Sequence, residues 1–105
     1  MAWILLIGAG LLEIVWAFYM KQSDGFSRMM PTIIMAVAML ASVALLALAM
    51  RSLPLGTAYA VWTGIGAVGA FVMGIAVLGE AATPARLIAA ILILAGLVIM
   101  KVASS

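Results

Sequence analysis

The chain has 105 residues, of which 70% are hydrophobic and 8% charged, with a mean hydropathy of +1.43 and a net charge of +2. This composition lies far from that of a soluble domain and indicates an integral membrane protein. Cysteine and histidine do not occur, so we exclude disulfides, thiol catalysis and an imidazole base and expect neither metal nor cofactor. The basic residues are dispersed, which favours lipid head groups over a nucleic-acid partner.

Four long apolar stretches follow one another along the chain, at residues 3–20, 31–50, 57–78 and 87–100. A helix needs about 20 apolar residues to cross the hydrocarbon core, so four crossings leave only short connections and no room for a second domain. Membrane strands would alternate apolar and polar positions, whereas these stretches are apolar on all sides. The sequence therefore predicts an all-α membrane protein with one four-helix transmembrane domain over residues 1–105.

The first stretch carries Glu13 near its middle, the only formal charge inside any of the four stretches. A carboxylate at membrane depth is costly and marks a functional site by default, and no cation lies at that depth to pair with it. On a helix, Ala9, Gly10, Trp16 and Ala17 share its face. Because an acid interrupts the stretch and no basic residue precedes it, we expect this segment to be retained and not cleaved as a signal peptide.

The second and third stretches supply the few polar and aromatic groups at matching depth. Plainer interpretations stay open for them, since a helical serine can return its hydroxyl to a carbonyl one turn back and a tyrosine can belong to an interfacial belt. The tryptophans can equally be packing aromatics. We predict that Gly10 and Met39 line a pocket around the acid together with these groups, which are Ser42, Tyr59, Trp62 and Thr63.

Glycines cluster in the third stretch, with Gly64, Gly66 and Gly69 within six residues. Each weakens a helix by about 1 kcal/mol relative to alanine, so we predict a bend or hinge in this stretch. Ordinary close packing of helices is the alternative for any one of them. In the fourth stretch, Ala89 and Gly96 lie seven residues apart and form a candidate dimer seam.

The charges at the two membrane faces are nearly balanced. An even number of helices places both termini on one side with Arg51 and Lys101, while Lys21, Arg28 and Arg86 lie on the other. Orientation follows the Lys and Arg bias, and two against three is almost no bias, so the sequence permits insertion in both orientations. Two oppositely oriented copies would supply the inverted half on which transporters commonly depend.

Three segments carry a resemblance to a known family. They are GLLEIVWA at residues 10–17, GFSR at residues 25–28 preceded by Lys21, and PLGTAYAVWTGIGAVG at residues 54–69. Over essentially its whole length, the chain resembles the small multidrug resistance exporters. Trp16, Ser42 and the run WTGIGA at residues 62–67 resemble the guanidinium-exporter branch more than the polyaromatic multidrug branch.

The resemblance implies an antiparallel homodimer, a multi-pass protein of the cell inner (plasma) membrane that exchanges protons for a small cation through two glutamates. It makes Glu13 the shared site for proton and cation. The residues that line or order the pocket would be Trp16, Ser42, Tyr59 and Trp62, and the bend in the third helix would lie at Gly64 and Gly66.

The chemistry of these residues suits a guanidinium ion. Guanidinium is planar, presents parallel N–H donors to a carboxylate and stacks on aromatic faces, which Trp16 and Trp62 can supply. We expect Ser42 to hydrogen-bond a carboxylate oxygen of Glu13 and hold it in that geometry. Because two Glu13 carboxylates in a dimer would titrate as a pair, a cation that binds the ionised pair must displace protons, and this competition is the coupling.

Four alternatives remain. A broader exporter of quaternary-ammonium and multidrug cations is the main one, since a carboxylate with aromatics also binds those cations. A proton-carrying rotor subunit would lack the Tyr59 and Trp62 aromatics. A small dual-topology channel has no use for a protonatable switch, and a regulatory subunit would need a partner to neutralise Glu13.

Overall fold

The computed structural model describes the backbone of residues 1–104 and the side chains of residues 1–103, which form four α-helices. All four are long and apolar enough to cross a membrane. This confirms the prediction of an all-α, multi-pass membrane protein. The helices are α1 (Ala2–Gln22), α2 (Met29–Ala49), α3 (Leu55–Ala76) and α4 (Pro84–Ser104).

Each helix begins one to three residues before the predicted stretch, and prolines explain part of the difference. Pro31 lies in the first turn of α2 and Pro84 is the first residue of α4, positions where the missing N–H would have no helical partner anyway. Thr83 Oγ1 accepts a hydrogen bond from the Arg86 backbone N–H (3.3 Å) and caps α4. The predicted stretches leave Pro84 in the connection between residues 78 and 87, whereas in the structure it begins α4.

The connection between α1 and α2 is a tight turn with left-handed backbone. Asp24, Gly25 and Phe26 have φ values of 50°, 70° and 68°. The buried Ser23 hydroxyl donates to the Met20 carbonyl (2.7 Å) and accepts from the Phe26 N–H (3.1 Å), so it satisfies backbone groups on both sides of the turn. The turn reverses the direction of the chain, so that α2 packs antiparallel against α1.

The helices form a flat slab with extents of 41 × 34 × 16 Å. Helix α1 packs against both α2 and α3, and α4 packs along α3. The buried core lies near the start of α1, the end of α2 and the start of α3, at one end of the slab that we call the packed end. It consists of Leu6, Ala9, Leu46, Ala49, Ala58 and Val61.

Helix α4 differs from the other three because none of its residues from 84 to 103 is buried. Its inner side meets α3 at Gly64, where an added Cβ would overlap the side chain of Leu97. Ala89 and Gly96 are exposed, and an added Cβ at Gly96 would meet open space. The dimer seam at these two residues stays a prediction.

Candidate functional site

The acid of the first helix lies at the contact between α1 and α3. An added Cβ at Gly66, a buried residue of α3, would overlap the carboxyl group of Glu13. On the same side of α1, an added Cβ at Gly10 would lie 2.7 Å from Ile65 Cγ2. The glycines at 10 and 66 therefore let the two helices approach closely enough to enclose the carboxyl group.

The glycines of α3 act as packing positions in this structure. The helix is continuous from Leu55 to Ala76, through Gly64, Gly66 and Gly69. A hinge at Gly64 and Gly66 is not tested by a single conformation and stays a prediction. The space that a Cβ would occupy is filled by Leu97 at Gly64, by Glu13 at Gly66 and by Ile14 at Gly69.

Two polar atoms on the face of α1 that carries Glu13 are buried without a hydrogen-bond partner among residues 1–103. They are Glu13 Oε1, an acceptor when the carboxylate is ionised, and Trp16 Nε1, a donor. Buried polar groups in proteins are nearly always hydrogen-bonded, so two such atoms one turn apart are unusual. The arrangement leaves a carboxylate oxygen able to accept hydrogen bonds from a cationic ligand.

Ser42 joins three helices. It is fully buried on α2, and its hydroxyl donates to the Ala9 carbonyl of α1 (2.6 Å) and accepts from the Trp62 indole N–H of α3 (3.0 Å). The expected hydrogen bond to the Glu13 carboxylate is thus not the one observed, nor does the hydroxyl return to its own helix. Since Ala9 precedes Glu13 by four residues, its carbonyl also accepts the helical N–H of Glu13. Ser42 therefore fixes the backbone turn that carries the acid.

The aromatic residues predicted for the site form a pair on α3. The rings of Tyr59 and Trp62 lie 5.5 Å apart between centroids, and Tyr59 is 53% exposed. Thr63 is exposed and donates its hydroxyl to the Tyr59 carbonyl of its own helix (2.7 Å). Met39 is half-buried one turn from Ser42. A pocket-lining role for Met39 and Thr63 remains a prediction.

A cleft of about 390 Å³ opens between α1 and α3 at the end of the slab opposite to the packed end. We call it the α1–α3 cleft. Ala17, at its inner end, lies one helical turn beyond Glu13, and Ala67 directly follows Gly66, so the cleft leads toward the acid. Its other lining residues include Lys21, Ala70, Phe71, Gly74, Glu80 and Arg86.

The mouth of this cleft holds functional groups that the sequence analysis missed. Glu80 packs its carboxyl group against Gly74, where an added Cβ would lie 2.5 Å from Glu80 Oε1. The same oxygen lies 3.3 Å from Arg86 Nη2. In the sequence, Glu80 and Arg86 both lie in the connection between the third and fourth apolar stretches, where an acid and an arginine six residues apart are a usable signal for an ion pair.

A half-buried carboxylate in a bundle of membrane-spanning helices, with a cleft that opens one helical turn away from it, is characteristic of a small membrane transport protein. The model of the Small Multidrug Resistance protein family matches residues 1–94. The chain belongs to this family, as its resemblance indicated, and it is a transporter and not an enzyme.

Similar proteins match the chain over nearly its whole length. A protein named "Guanidinium exporter" from Yersinia pseudotuberculosis serotype I (strain IP32953) is 62% identical over 104 residues, covering 99% of this chain and 100% of the relative. Proteins of the same name from Citrobacter freundii and Escherichia coli (strain K12) are each 57% identical over 104 residues, covering 99% of both chains.

Proposed function

We propose that this protein exports guanidinium and small guanidinyl cations in exchange for protons. The observation that carries the proposal is the carboxyl group of Glu13, which packs against Gly66 and has one buried oxygen without a hydrogen-bond partner among residues 1–103. Relatives named as guanidinium exporters, 57% to 62% identical over their full length, support the choice of cation.

The shape of the cation suits the groups around Glu13. A guanidinium ion offers parallel N–H donors in one plane, which match the two oxygens of a carboxylate. Its flat faces stack on indole rings, and Trp16 lies one turn from Glu13 on the same side of α1. Trp62, with its indole N–H held by Ser42, supplies a second aromatic surface from α3.

Coupling follows from the use of one carboxylate by two ligands. A protonated carboxyl group has lost the negative charge that holds a cation, and a carboxylate paired with a cation has lost its affinity for a proton. Binding of either ligand therefore excludes the other. If guanidinium and protons replace each other at Glu13 first on one side of the membrane and then on the other, guanidinium moves in one direction and protons move in the opposite direction.

The transporting unit in this proposal is an antiparallel homodimer in the inner (plasma) membrane. Helix α4, with no buried residue from 84 to 103, offers a large apolar surface to a second copy. The near-equal Lys and Arg count of the two membrane faces lets one gene product supply both orientations. Two Glu13 carboxylates, one from each copy, would then share the transported ions.

Dual insertion is tested by biasing the charges. Two added lysines beside Arg51 should direct most copies into one orientation, and two beside Arg86 should direct them into the other. Each biased variant alone should fail to export, and co-expression of the two should restore export. Full activity from one biased variant would overturn the antiparallel dimer, as would labelling that finds the wild-type protein in a single orientation.

The transport proposal is tested in proteoliposomes that hold the purified chain, with guanidinium, guanylurea and tetramethylammonium as substrates. We expect saturable uptake of the first two that depends on an opposing proton gradient, and little uptake of tetramethylammonium. Flux that neither saturates nor needs a proton gradient would indicate a channel and would overturn the exchange mechanism.

A broader exporter of quaternary-ammonium and multidrug cations is the second candidate. The exposed Tyr59, paired with Trp62, favours it because aromatic faces also attract cations that have no N–H donor. Strong transport of tetramethylammonium or ethidium without guanidinium flux would establish this alternative in place of guanidinium export.

A further inference from the structure

The mouth of the α1–α3 cleft already binds a guanidinium group, that of the chain's own Arg86. Nη2 of Arg86 lies 3.3 Å from Glu80 Oε1, and Nη1 donates a hydrogen bond to the Ala81 carbonyl. The Arg86 Cζ lies 5.1 Å from the centroid of the Phe71 ring. A carboxylate, a carbonyl and an aromatic ring thus surround one planar cation.

These three partners are the groups that a free guanidinium ion needs. The carboxylate and the carbonyl accept its N–H donors, and the ring attracts its charge. None of the three depends on the arginine being part of the chain. The same arrangement therefore has the chemistry to accept a guanidinium ion from solution.

Glu80 is held in place by its own backbone. Its N–H donates to the Gly74 carbonyl (2.9 Å), and its carboxyl group rests on the bare backbone of Gly74. This backbone contact keeps Glu80 at the mouth of the cleft when Arg86 leaves, while its exposed side chain stays free to turn.

The internal arginine is well suited to leave. The side chains of Arg86 and Glu80 are 40% and 44% exposed, and a single oxygen of Glu80 contacts the guanidinium group. Exposed ion pairs of this kind are weak because water solvates both partners. A guanidinium ion at millimolar concentration can compete for such a site.

The site also has a path to the deeper acid. Gly74, which contacts Glu80, lies eight residues after Gly66, which contacts Glu13, and this corresponds to a rise of about 12 Å along α3. The α1–α3 cleft fills this interval, with Gly74 and Glu80 near its mouth and Ala67 at its inner end.

We propose that Glu80, the Ala81 carbonyl and Phe71 form an outer binding site for guanidinium, which Arg86 occupies as an internal competitor until a free cation displaces it. The choice of guanidinium as ligand rests on the proposed function. The outer site is distinct from Glu13 and captures the cation before it enters the cleft.

Transport kinetics test the carboxylate. Glu80→Gln should raise the KM for guanidinium about fivefold, as expected for the loss of a weak exposed charge contact, with kcat little changed. The control is Asp24→Asn, which removes an equal charge at the same membrane face outside the cleft and keeps a residue that tolerates left-handed backbone. Equal KM values for the two variants would reduce Glu80 to a general electrostatic contribution and overturn the site.

Substitution of the arginine tests the competition. Arg86→Ala should lower the KM about threefold because the site is then open to the substrate, whereas Arg28→Ala, the same change outside the cleft, should leave it unchanged. Arg86→Lys keeps the charge but loses the planar donors, so it should also lower the KM. A KM that falls equally in Arg28→Ala, or does not fall in either Arg86 variant, would contradict the competition.

Direct observation of Arg86 separates this proposal from the proposed transport function. In the Glu13→Gln protein, which lacks the deep carboxylate, the ¹⁵Nε–H signal of Arg86 is followed during titration with guanidinium chloride, with sodium chloride at equal ionic strength as the control. We expect a saturable shift with guanidinium alone, absent when Glu80→Gln is added. Identical responses to both salts would overturn the outer site even if the wild type transports guanidinium. A saturable shift without wild-type transport would preserve the site and refute the proposed function.

Discussion

Two regions of the molecule each pack a carboxyl group against a glycine, but the two carboxyl groups have different partners. About one helical turn beyond the inner end of the α1–α3 cleft, Glu13 lies against Gly66, and at the mouth of the cleft Glu80 lies against Gly74. The inner carboxyl group has a buried oxygen without a partner among residues 1–103, whereas the outer one is exposed and paired with Arg86. The difference shows that a glycine can set where a carboxyl group lies, while the neighbouring side chains decide whether it is paired within residues 1–103.

Glu13→Gln should give the largest effect. The substitution keeps the shape of the side chain but removes the charge-assisted hydrogen bonds to the cation, which are worth about 1.5 to 3 kcal/mol each, so affinity should fall more than about 100-fold. Proton-coupled exchange should disappear with it. Isothermal titration with guanidinium and proteoliposome flux measure both, and size-exclusion chromatography checks that the assembled protein remains.

A Glu13→Gln protein that still exchanges protons for guanidinium would disprove the role of the inner carboxylate. The matched variant is Glu13→Asp, which keeps the charge but withdraws it by one methylene. It should retain part of the binding, with an altered pH dependence.

Gly66→Ala should give the next largest effect. The added methyl group overlaps the enclosed carboxyl group of Glu13, and overpacking of this kind costs about 1 to 3 kcal/mol. We expect weaker guanidinium binding, measured by titration. Gly56→Ala, also in α3, is the control, because an added Cβ there lies in open space among the described residues. Equal affinity in the wild type and Gly66→Ala would show that the contact with Gly66 is not needed.

Ser42→Ala should have a moderate effect on stability. It removes the donor to Ala9 and the acceptor of the Trp62 indole, and hydrogen bonds between membrane helices contribute about 0.6 kcal/mol on average. We expect the free energy of unfolding in mixed detergent micelles to fall by about 1 kcal/mol.

The same measurement on Trp62→Phe, and on the two changes together, completes a double-mutant cycle. The combined loss should be smaller than the sum of the single losses, because both changes remove the same hydrogen bond. Strict additivity would mean that the bond from Trp62 to Ser42 contributes nothing.

Gly74→Ala should give the smallest effect, although its geometry resembles that of Gly66→Ala. Because Glu80 is 44% exposed, its carboxyl group can swing into water and make room for the methyl group. An alanine also favours a helix over glycine by about 1 kcal/mol, which offsets part of the cost. Stability should stay within error of the wild type in the same unfolding assay. A fall in the free energy of unfolding of about 1 to 3 kcal/mol, the cost expected for overpacking at Gly66, would show that the two regions are equally rigid.

The fold was predictable because it depends on composition and run length. Four apolar stretches with charges at their ends leave few alternatives to four helices, and the observed bounds differ by at most four residues. Glu13 stands out as a candidate site for a related reason, since a charge inside an apolar stretch is evident without any knowledge of its neighbours.

The partners of side chains were harder to predict because they depend on how far each helix is rotated about its axis. The depth of Ser42 matched that of Glu13, but the facing atom is the Ala9 carbonyl. The pairing of Glu80 with Arg86 depends on the turn after α3, where Gly79 has a φ of 71°. A sequence pattern gives depth along a helix but not these rotations.

The four helices are also nearly equal in length, at 21, 21, 22 and 21 residues. Each is about 32 Å long, close to the hydrocarbon thickness of about 30 Å. The length that must match the hydrocarbon core is therefore nearly the same for all four helices in either orientation of the protein. Hydrophobic mismatch, which sorts many membrane proteins, gives neither orientation an advantage here, so lipid thickness leaves the two orientations as evenly matched as the charges do.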